Sequence, residues 1–180
     1  MELNWTNVPE PDEHALVDPE LQAIVAKRFN IHDSLLPLKR VPPLVASCLD
    51  VLEPLIDLTW ITSVNMESVD GSLDVVMEGS GRYIQGSYPI LVTSTRLILL
   101  GEDPHEKFLH PIRRCAGVQL SELRQPTPLE FSMLASPSFD VPCKDQSVLH
   151  VFLGGSGKSR RPNQEAFYNS LSNAISSASS

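Results

Sequence analysis

The chain is poor in charge, and the charge that it carries is mostly acidic. Charged residues make up 20% of its 180 residues, with 22 Asp and Glu against 14 Lys and Arg, for a formal net charge of −8. A chain with this balance does not adhere as a whole to nucleic acid or to an anionic bilayer. We therefore predict no direct nucleic-acid partner, and we expect charged ligands to meet local patches only.

Long apolar runs and an even set of cysteines are also missing. A membrane-spanning helix needs roughly 20 consecutive apolar residues. The longest candidate, residues 44–61, is interrupted by Asp50, Glu53, Pro54 and Asp57. The three cysteines are Cys48, Cys115 and Cys143, and the first residues are acidic where a secretory signal would be basic and then apolar. We expect a soluble protein without a transmembrane segment, in the reducing cytoplasm.

The first 45 residues differ in composition from the rest, being rich in proline and acid. Within them we predict a helix over residues 19–29, because Pro19 suits a first turn and Asp18 can cap it. Its buried face would consist of Leu21, Ile24, Val25 and Arg28. The following segment, residues 42–54, is compatible with either a short helix or a strand. We predict an extension over residues 1–45, a domain over 46–177 and a frayed tail over 178–180.

From residue 55 onward, short β-branched runs alternate with Gly, Ser, Pro and Asp. The runs are LTWITSV, SLDVVME, RYIQGSY, ILVTSTRLILLG, KFLHPI, AGVQL, LEFSML and VLHVFLGG. Runs this short predict an antiparallel meander, because a parallel sheet would need helices between its strands. The hydroxyl-rich residues 93–96 favour a turn inside the fourth run.

The last element is predicted to be an amphipathic helix of roughly 14 residues. Pro162 and Asn163 are typical of a helix start, and Glu165 suits the positive end of the helix dipole. One apolar stripe follows at helical spacing, made of Phe167, Leu171, Ala174, Ile175 and Ala178.

This order of elements resembles the pleckstrin-homology-like superfamily, and the motifs are similar to its GRAM and GLUE branches, as in WW-domain-binding protein 2-like and ESCRT GLUE domains. Residues 90–100 match a strand pair with Thr before a turn and Arg96 after it. KFLHPI matches a later strand, and VLHVFLGG followed by residues 164–171 matches the final strand and helix. The resemblance covers residues 55–177. It implies an α+β sandwich or barrel of about seven antiparallel strands closed by the C-terminal helix.

The resemblance also implies a function in binding. It suggests an intracellular adaptor that recruits a protein partner in membrane trafficking or transcriptional regulation, with the nucleus or endosomes as further locations. A sheet edge or the groove between sheet and terminal helix would receive the partner. The chain lacks a Pro-Pro-x-Tyr motif, so binding to WW domains is not implied. The resemblance also implies a role for Arg96, which follows the turn. Its aliphatic stem would pack against the sheet, and its guanidinium would donate to carbonyl groups.

Six residues are the candidate binding residues. They are Trp5, Arg113, Arg114, Lys158, Arg160 and Arg161. The tryptophan lies in a polar stretch, and the five cations provide charge-assisted hydrogen bonds to an acidic partner or, as the alternative, to a phosphoinositide. The usual lipid-binding loop of the resembled domains corresponds to residues 67–78, which carry four acids and no base. That loop would repel phosphates.

The motifs that would indicate nucleotide or metal binding do not meet the requirements of those sites. GGSGKS resembles a phosphate-binding loop, but Phe152 stands where its first glycine belongs. His105 and His110 could hold zinc only in a helix, which Pro104 and Pro111 disfavour. A small cysteine-dependent enzyme using Cys143 or Cys115 with His150 remains the alternative from another class. We predict no enzymatic activity, no catalytic residues, no metal and no cofactor.

Overall fold

The computed structural model of the protein describes residues 3–30, 36–78, 88–103, 113–132, 135–155 and 158–179. In these ranges the elements are, in chain order, β1 (Thr6–Asn7), α1 (Pro19–Arg28), α2 (Val41–Ala46), β2 (Leu55–Glu67), β3 (Leu73–Glu78), β4 (Tyr88–Thr93), β5 (Arg96–Glu102), β6 (Arg113–Gln119), β7 (Ser138–Pro142), β8 (Val148–Leu153) and α3 (Arg161–Ala178). Short 3-10 turns precede α2 and follow β6. No helix within these ranges is long and apolar enough to cross a bilayer.

All eight strands belong to one open antiparallel sheet. Its order is β1-β6-β5-β3-β2-β8-β7, with β4 beside β2 and β5. The 13-residue strand β2 is the centre, since it pairs with β4 through its first half, with β3 through its second half and with β8 along its other side. Register shifts along β2 bend it from one set of partners to the next. This arrangement confirms the predicted α+β class, with antiparallel strands and a C-terminal helix.

The C-terminal helix α3 covers one face of the sheet. Phe167, Leu171 and Ile175 are fully or almost fully buried there, against core residues of β2, β7 and β8. The predicted stripe is confirmed except for Ala178, which is exposed because it lies in the last turn of the helix. The helix is also longer than predicted, with 18 residues.

The N-terminal segment covers the opposite face. Helices α1 and α2 form a second core there with strands β2, β4, β5 and β6. Its buried members include Leu21, Val25, Leu44, Leu58, Trp60, Leu91 and Leu100. The prediction for α1 is confirmed, because Asp18 Oδ1 accepts hydrogen bonds from the backbone of Glu20 at 2.8 Å and Leu21 at 3.2 Å. Residues 42–54, left open by the sequence, contain most of α2 and the loop to β2.

Not every predicted run becomes a strand. LEFSML was predicted as one, but its described part contributes only an isolated bridge between Glu130 and Ser138. The prolines at 126 and 128 remove two backbone N–H donors just before it, which explains why a regular ladder does not form. The KFLHPI run, most of RYIQGSY and the histidine pair 105/110 lie outside the described residues.

Candidate functional site

The first candidate cluster joins Trp5 to the two arginines of β6. Strand β1 pairs with the edge of β6, and the Val8 N–H donates to the Arg113 carbonyl at 2.8 Å. The Arg114 guanidinium lies over the Trp5 ring, 4.7 Å from its centroid, and contacts the Asp103 carboxylate. The structure therefore brings three of the predicted binding residues together.

This cluster is satisfied by the protein itself. Arg113 contacts the Glu10 carboxylate, and its side chain is largely buried. Burial lowers the pKa of Arg113, because the charged form is poorly solvated there. Both arginines thus have carboxylate partners from the same chain, and Trp5 folds back rather than projecting outward.

The other three cations lie at the turn into α3. Lys158 is exposed, and the Arg161 guanidinium is 4.3 Å from the centroid of the Phe131 ring. Arg160 folds over Gly155, which has a φ of +80°, and a Cβ at that position would lie 2.1 Å from the Arg160 Nη1. This turn therefore requires glycine. In the sheet order, β6 is four positions away from β8, the strand that leads into this turn.

The chain itself pairs with part of each sheet edge, the predicted sites of strand addition. The two-residue strand β1 pairs with the start of β6, opposite Arg114 and Cys115. Along β7, the backbone N–H groups of Arg124, Thr127 and Glu130 donate to β7 carbonyls at 2.8 to 2.9 Å. Near the end of α3, a cavity of about 600 Å³ lies between this helix, the segment after β6 and the turn between β7 and β8, with Arg124, Lys144 and Ile175 in its walls.

A further groove was not predicted from the sequence. It lies between α1, the residues just before it and the loop that leads into β2, and has a volume of about 520 Å³. We call it the α1–β2 groove. Three of the residues that line it are apolar and almost fully exposed, namely Leu16 at 102%, Val51 at 94% and Leu52 at 96% of their reference surface. Clustered exposed apolar side chains mark interaction sites more often than isolated ones do.

The loop that leads into β2 holds Val51 and Leu52 outward, and its backbone conformation is unusual. Leu52 has a φ of +65°, a left-handed value that non-glycine residues rarely adopt. The adjacent Glu53 anchors the loop, because its carboxylate accepts hydrogen bonds from Thr93 Oγ1 at 2.6 Å, Thr95 Oγ1 at 2.7 Å and Arg96 Nε at 3.0 Å. Burial alone would raise the pKa of Glu53, but these hydrogen bonds outweigh it and lower the pKa to about 2.

Arg96 has a structural role, as the resemblance implied, but with a different partner. Its guanidinium binds carboxylates, those of Glu53 and of Asp50 at 3.2 Å, rather than carbonyl groups. Its stem crosses Gly117 on β6, where a Cβ would lie 2.9 Å from the Arg96 Cδ. The small residue at 117 is therefore needed for this packing.

The residues of the alternative enzyme are engaged elsewhere. His150 Nδ1 is 2.7 Å from the Asp140 carboxylate, and its Nε2 is 3.2 Å from that of Glu67. Both ring nitrogens thus face acids rather than a thiol. All three cysteines are buried free thiols. Within the described parts of the chain, no group of three His, Cys, Asp or Glu residues could hold a metal ion.

Cys115 and Cys48 interact with each other in the second core, between the N-terminal segment and the sheet. The hydrogen bond from Cys48 lowers the pKa of Cys115, and Thr6 Oγ1, 3.2 Å from its sulfur, acts in the same direction. The same contact raises the pKa of Cys48. This pairing joins the segment after α2 to β6 and involves no histidine.

The comparisons with known proteins leave the family open. No family model matches the chain, and no curated protein matches it. Among solved structures, the linker and DH/PH domains of p115-RhoGEF are similar over 87% of this chain and 39% of that chain, with 11% sequence identity and a TM-score of 0.37. The match is too weak to bear on function.

Proposed function

We propose that this chain is a non-enzymatic protein-interaction module that receives its partner in the α1–β2 groove. The single observation that carries the proposal is the cluster of Leu16, Val51 and Leu52, which expose almost their full surface at one groove. Burying one such side chain in an interface gains roughly 1.5 to 3 kcal/mol. A protein partner with apolar side chains would recover that energy.

The resemblance to GRAM and GLUE domains supports the cellular role that we propose for this module. We propose an adaptor role in membrane trafficking or transcriptional regulation, in which the folded chain recruits its partner. The paired state of Arg113 and Arg114 favours this role over phosphoinositide binding, because a phosphate would have to displace the carboxylates of Glu10 and Asp103.

The experiment that tests the proposal is affinity capture with the full chain, read by mass spectrometry. The groove variant carries Leu16→Ser, Val51→Ser and Leu52→Asn, since asparagine tolerates the left-handed backbone of residue 52. A matched control, Val69→Ser with Leu73→Asn, removes exposed apolar surface from the β2–β3 hairpin.

We expect the wild type and the hairpin control to capture the same partners and the groove variant to lose them, while all three show the same thermal unfolding midpoint. Retention of every partner by the groove variant would refute the proposed site.

Phosphoinositide binding, the alternative function, is tested by sedimentation with lipid vesicles. The cations that would support it are Lys158 and Arg161, which are exposed at the start of α3. If this alternative holds, the chain sediments with vesicles that contain phosphatidylinositol bisphosphate, and Lys158→Glu with Arg161→Glu abolishes sedimentation. We expect no sedimentation above that with phosphatidylcholine vesicles.

A further inference from the structure

We infer that the partner segment of the α1–β2 groove is a peptide whose apolar side chains are flanked by lysine or arginine. This inference rests on the proposed function and adds the chemistry of the partner. Two independent properties of the groove lead to it, its apolar surface and the sign of its charge.

The apolar part of the groove has both a base and a rim. The base includes Leu21, which is buried in the second core, and the half-buried Ile24 and Leu49. The rim consists of the exposed Leu16, Val51 and Leu52. A volume of about 520 Å³ lies within the range of protein pockets that bind ligands, roughly 300 to 1,000 Å³. The groove is therefore suited to a few apolar side chains and not to a folded domain.

The charged side chains that line this surface are acidic. The carboxylates of Asp18, Glu20, Asp50 and Glu53 line the groove, and among the described residues of its lining there is no Lys, Arg or His. The nearby guanidinium of Arg96 is already bound by two of these carboxylates. An acidic peptide or a phosphate would meet repulsion, whereas Lys or Arg beside an apolar anchor would be attracted.

The surrounding bases do not change this sign. Residues 1–60 contain ten acids and four bases. Of these bases, Arg28 pairs with Asp57 at 2.9 Å, Lys39 with Glu13 at 2.7 Å and Arg40 with Glu10 at 3.2 Å. The first 60 residues thus keep six more acids than bases, and a basic partner is the complementary one.

The groove is also held in place before a partner arrives. The Glu53 N–H donates to the Asp50 carbonyl at 3.0 Å, and the Asp50 N–H donates back to the Glu53 carboxylate at 3.1 Å. These bonds and those from the end of β4, the following turn and the start of β5 fix the loop that carries Val51 and Leu52. A fixed loop pays less ordering entropy on binding, which makes a short peptide a sufficient ligand.

The test measures fluorescence anisotropy of three labelled 14-residue peptides with identical leucine positions. Their remaining positions are lysine, glutamine or glutamate. We expect the Leu/Lys peptide to bind the full chain about tenfold more tightly than the Leu/Gln peptide, and the Leu/Glu peptide not to bind. The affinity for the Leu/Lys peptide should fall as salt rises from 50 to 300 mM, because screening weakens exposed charge pairs.

Two protein variants locate the binding. Leu16→Ser with Val51→Ser and Leu52→Asn should weaken the Leu/Lys peptide at least about tenfold, whereas Val69→Ser with Leu73→Asn should not, although that hairpin also lies beside acids. Glu20→Gln with Asp50→Asn should weaken the Leu/Lys peptide and leave the Leu/Gln peptide unchanged.

The outcomes separate this inference from the proposed function. Equal binding of the Leu/Lys and Leu/Gln peptides at the groove, or tighter binding of the Leu/Glu peptide there, would overturn the basic partner and leave the interaction site standing. Binding that is insensitive to the groove substitutions would overturn both. No binding of any peptide to the wild type would overturn the basic-peptide inference, and the affinity capture described above would then decide the function.

A second copy of this chain could instead occupy the groove. The wild type would then form a dimer in light scattering and the groove variant would not, and this result would also overturn the basic-peptide inference.

Discussion

The Arg28 guanidinium and the Asp57 carboxylate form a buried two-point ion pair between α1 and β2. Arg28 Nε donates to Asp57 Oδ1 at 2.9 Å, and Nη2 donates to Oδ2 at 3.0 Å. The pair also reaches α3, since Ser170 Oγ donates to Asp57 Oδ2 at 2.9 Å and Asn163 Oδ1 accepts from Arg28 Nη1 at 2.9 Å. The N-terminal helix, the sheet and the terminal helix therefore meet at one polar junction.

Removing one partner of this pair is expected to be costly. Asp57→Asn leaves Arg28 buried without its counter-charge, and we expect a loss of about 3 to 5 kcal/mol in the free energy of unfolding. Arg28→Met keeps the apolar stem, so the double variant should lose less than the sum of the single ones. Urea unfolding of the four proteins measures this coupling. Strict additivity would show that the two groups do not interact.

The N-terminal segment should be required for folding. A chain that begins at Leu44 lacks α1 and uncovers Leu58, Trp60 and Leu91, which are buried under it. We expect that shortened chain to aggregate or to lose cooperative unfolding, as read by size-exclusion chromatography and near-UV circular dichroism. A monomeric shortened chain with a sharp thermal transition would contradict this account. Loss of partners on such truncation would therefore not by itself locate their binding site.

Stability should depend on pH through Glu53. The pKa of this carboxyl is about 2 in the folded protein, below its ordinary value of 4.5. A lowered folded-state pKa contributes stability that is present above pH 4.5 and is lost as pH falls from there to about 2. We expect about 3 kcal/mol from this group, and Glu53→Gln should remove that part of the acid dependence. An unchanged acid-unfolding profile in Glu53→Gln would refute the assignment.

Trp5 should contribute to folding rather than to partner binding. Its ring covers the Arg114 guanidinium, and a partly exposed contact of this kind contributes about 0.5 to 1 kcal/mol. Trp5→Ala should lower the free energy of unfolding by that order and leave captured partners unchanged. The control Trp5→Phe should recover part of the stability. Loss of partners at unchanged stability would restore Trp5 as a partner anchor.

Local signals in the sequence predicted the elements that depend on local chemistry. Asp18 and Pro19 mark the start of α1, and the spacing of Phe167, Leu171 and Ile175 marks the buried face of α3. Trp60 lies in the apolar run LTWITSV and is buried in the core, with its indole N–H donating to the Arg28 carbonyl at 3.0 Å. The hydroxyl-rich turn between β4 and β5 is also present, with Thr93 Oγ1 accepting from the Arg96 N–H at 2.9 Å.

Contacts between residues far apart in the chain could not be predicted from such local signals. Arg28 and Asp57 are 29 positions apart, and no periodicity connects them. The α1–β2 groove forms only when packing brings Leu16 beside the loop at Val51, so neither residue stands out in the sequence. The contact of Arg114 with Trp5 likewise depends on β1 joining the edge of β6. Composition showed the cations but not the carboxylates that neutralise two of them.

The most direct test of the central claim is photo-crosslinking from the groove. The full chain carries benzoylphenylalanine in place of Val51, and in a matched protein in place of Val75 on β3, and both are irradiated in cells. We predict a crosslinked protein partner from position 51, attached through a segment with apolar side chains beside Lys or Arg, and none from position 75. Crosslinks of equal yield from position 75, or none from position 51, would contradict the groove as the partner site.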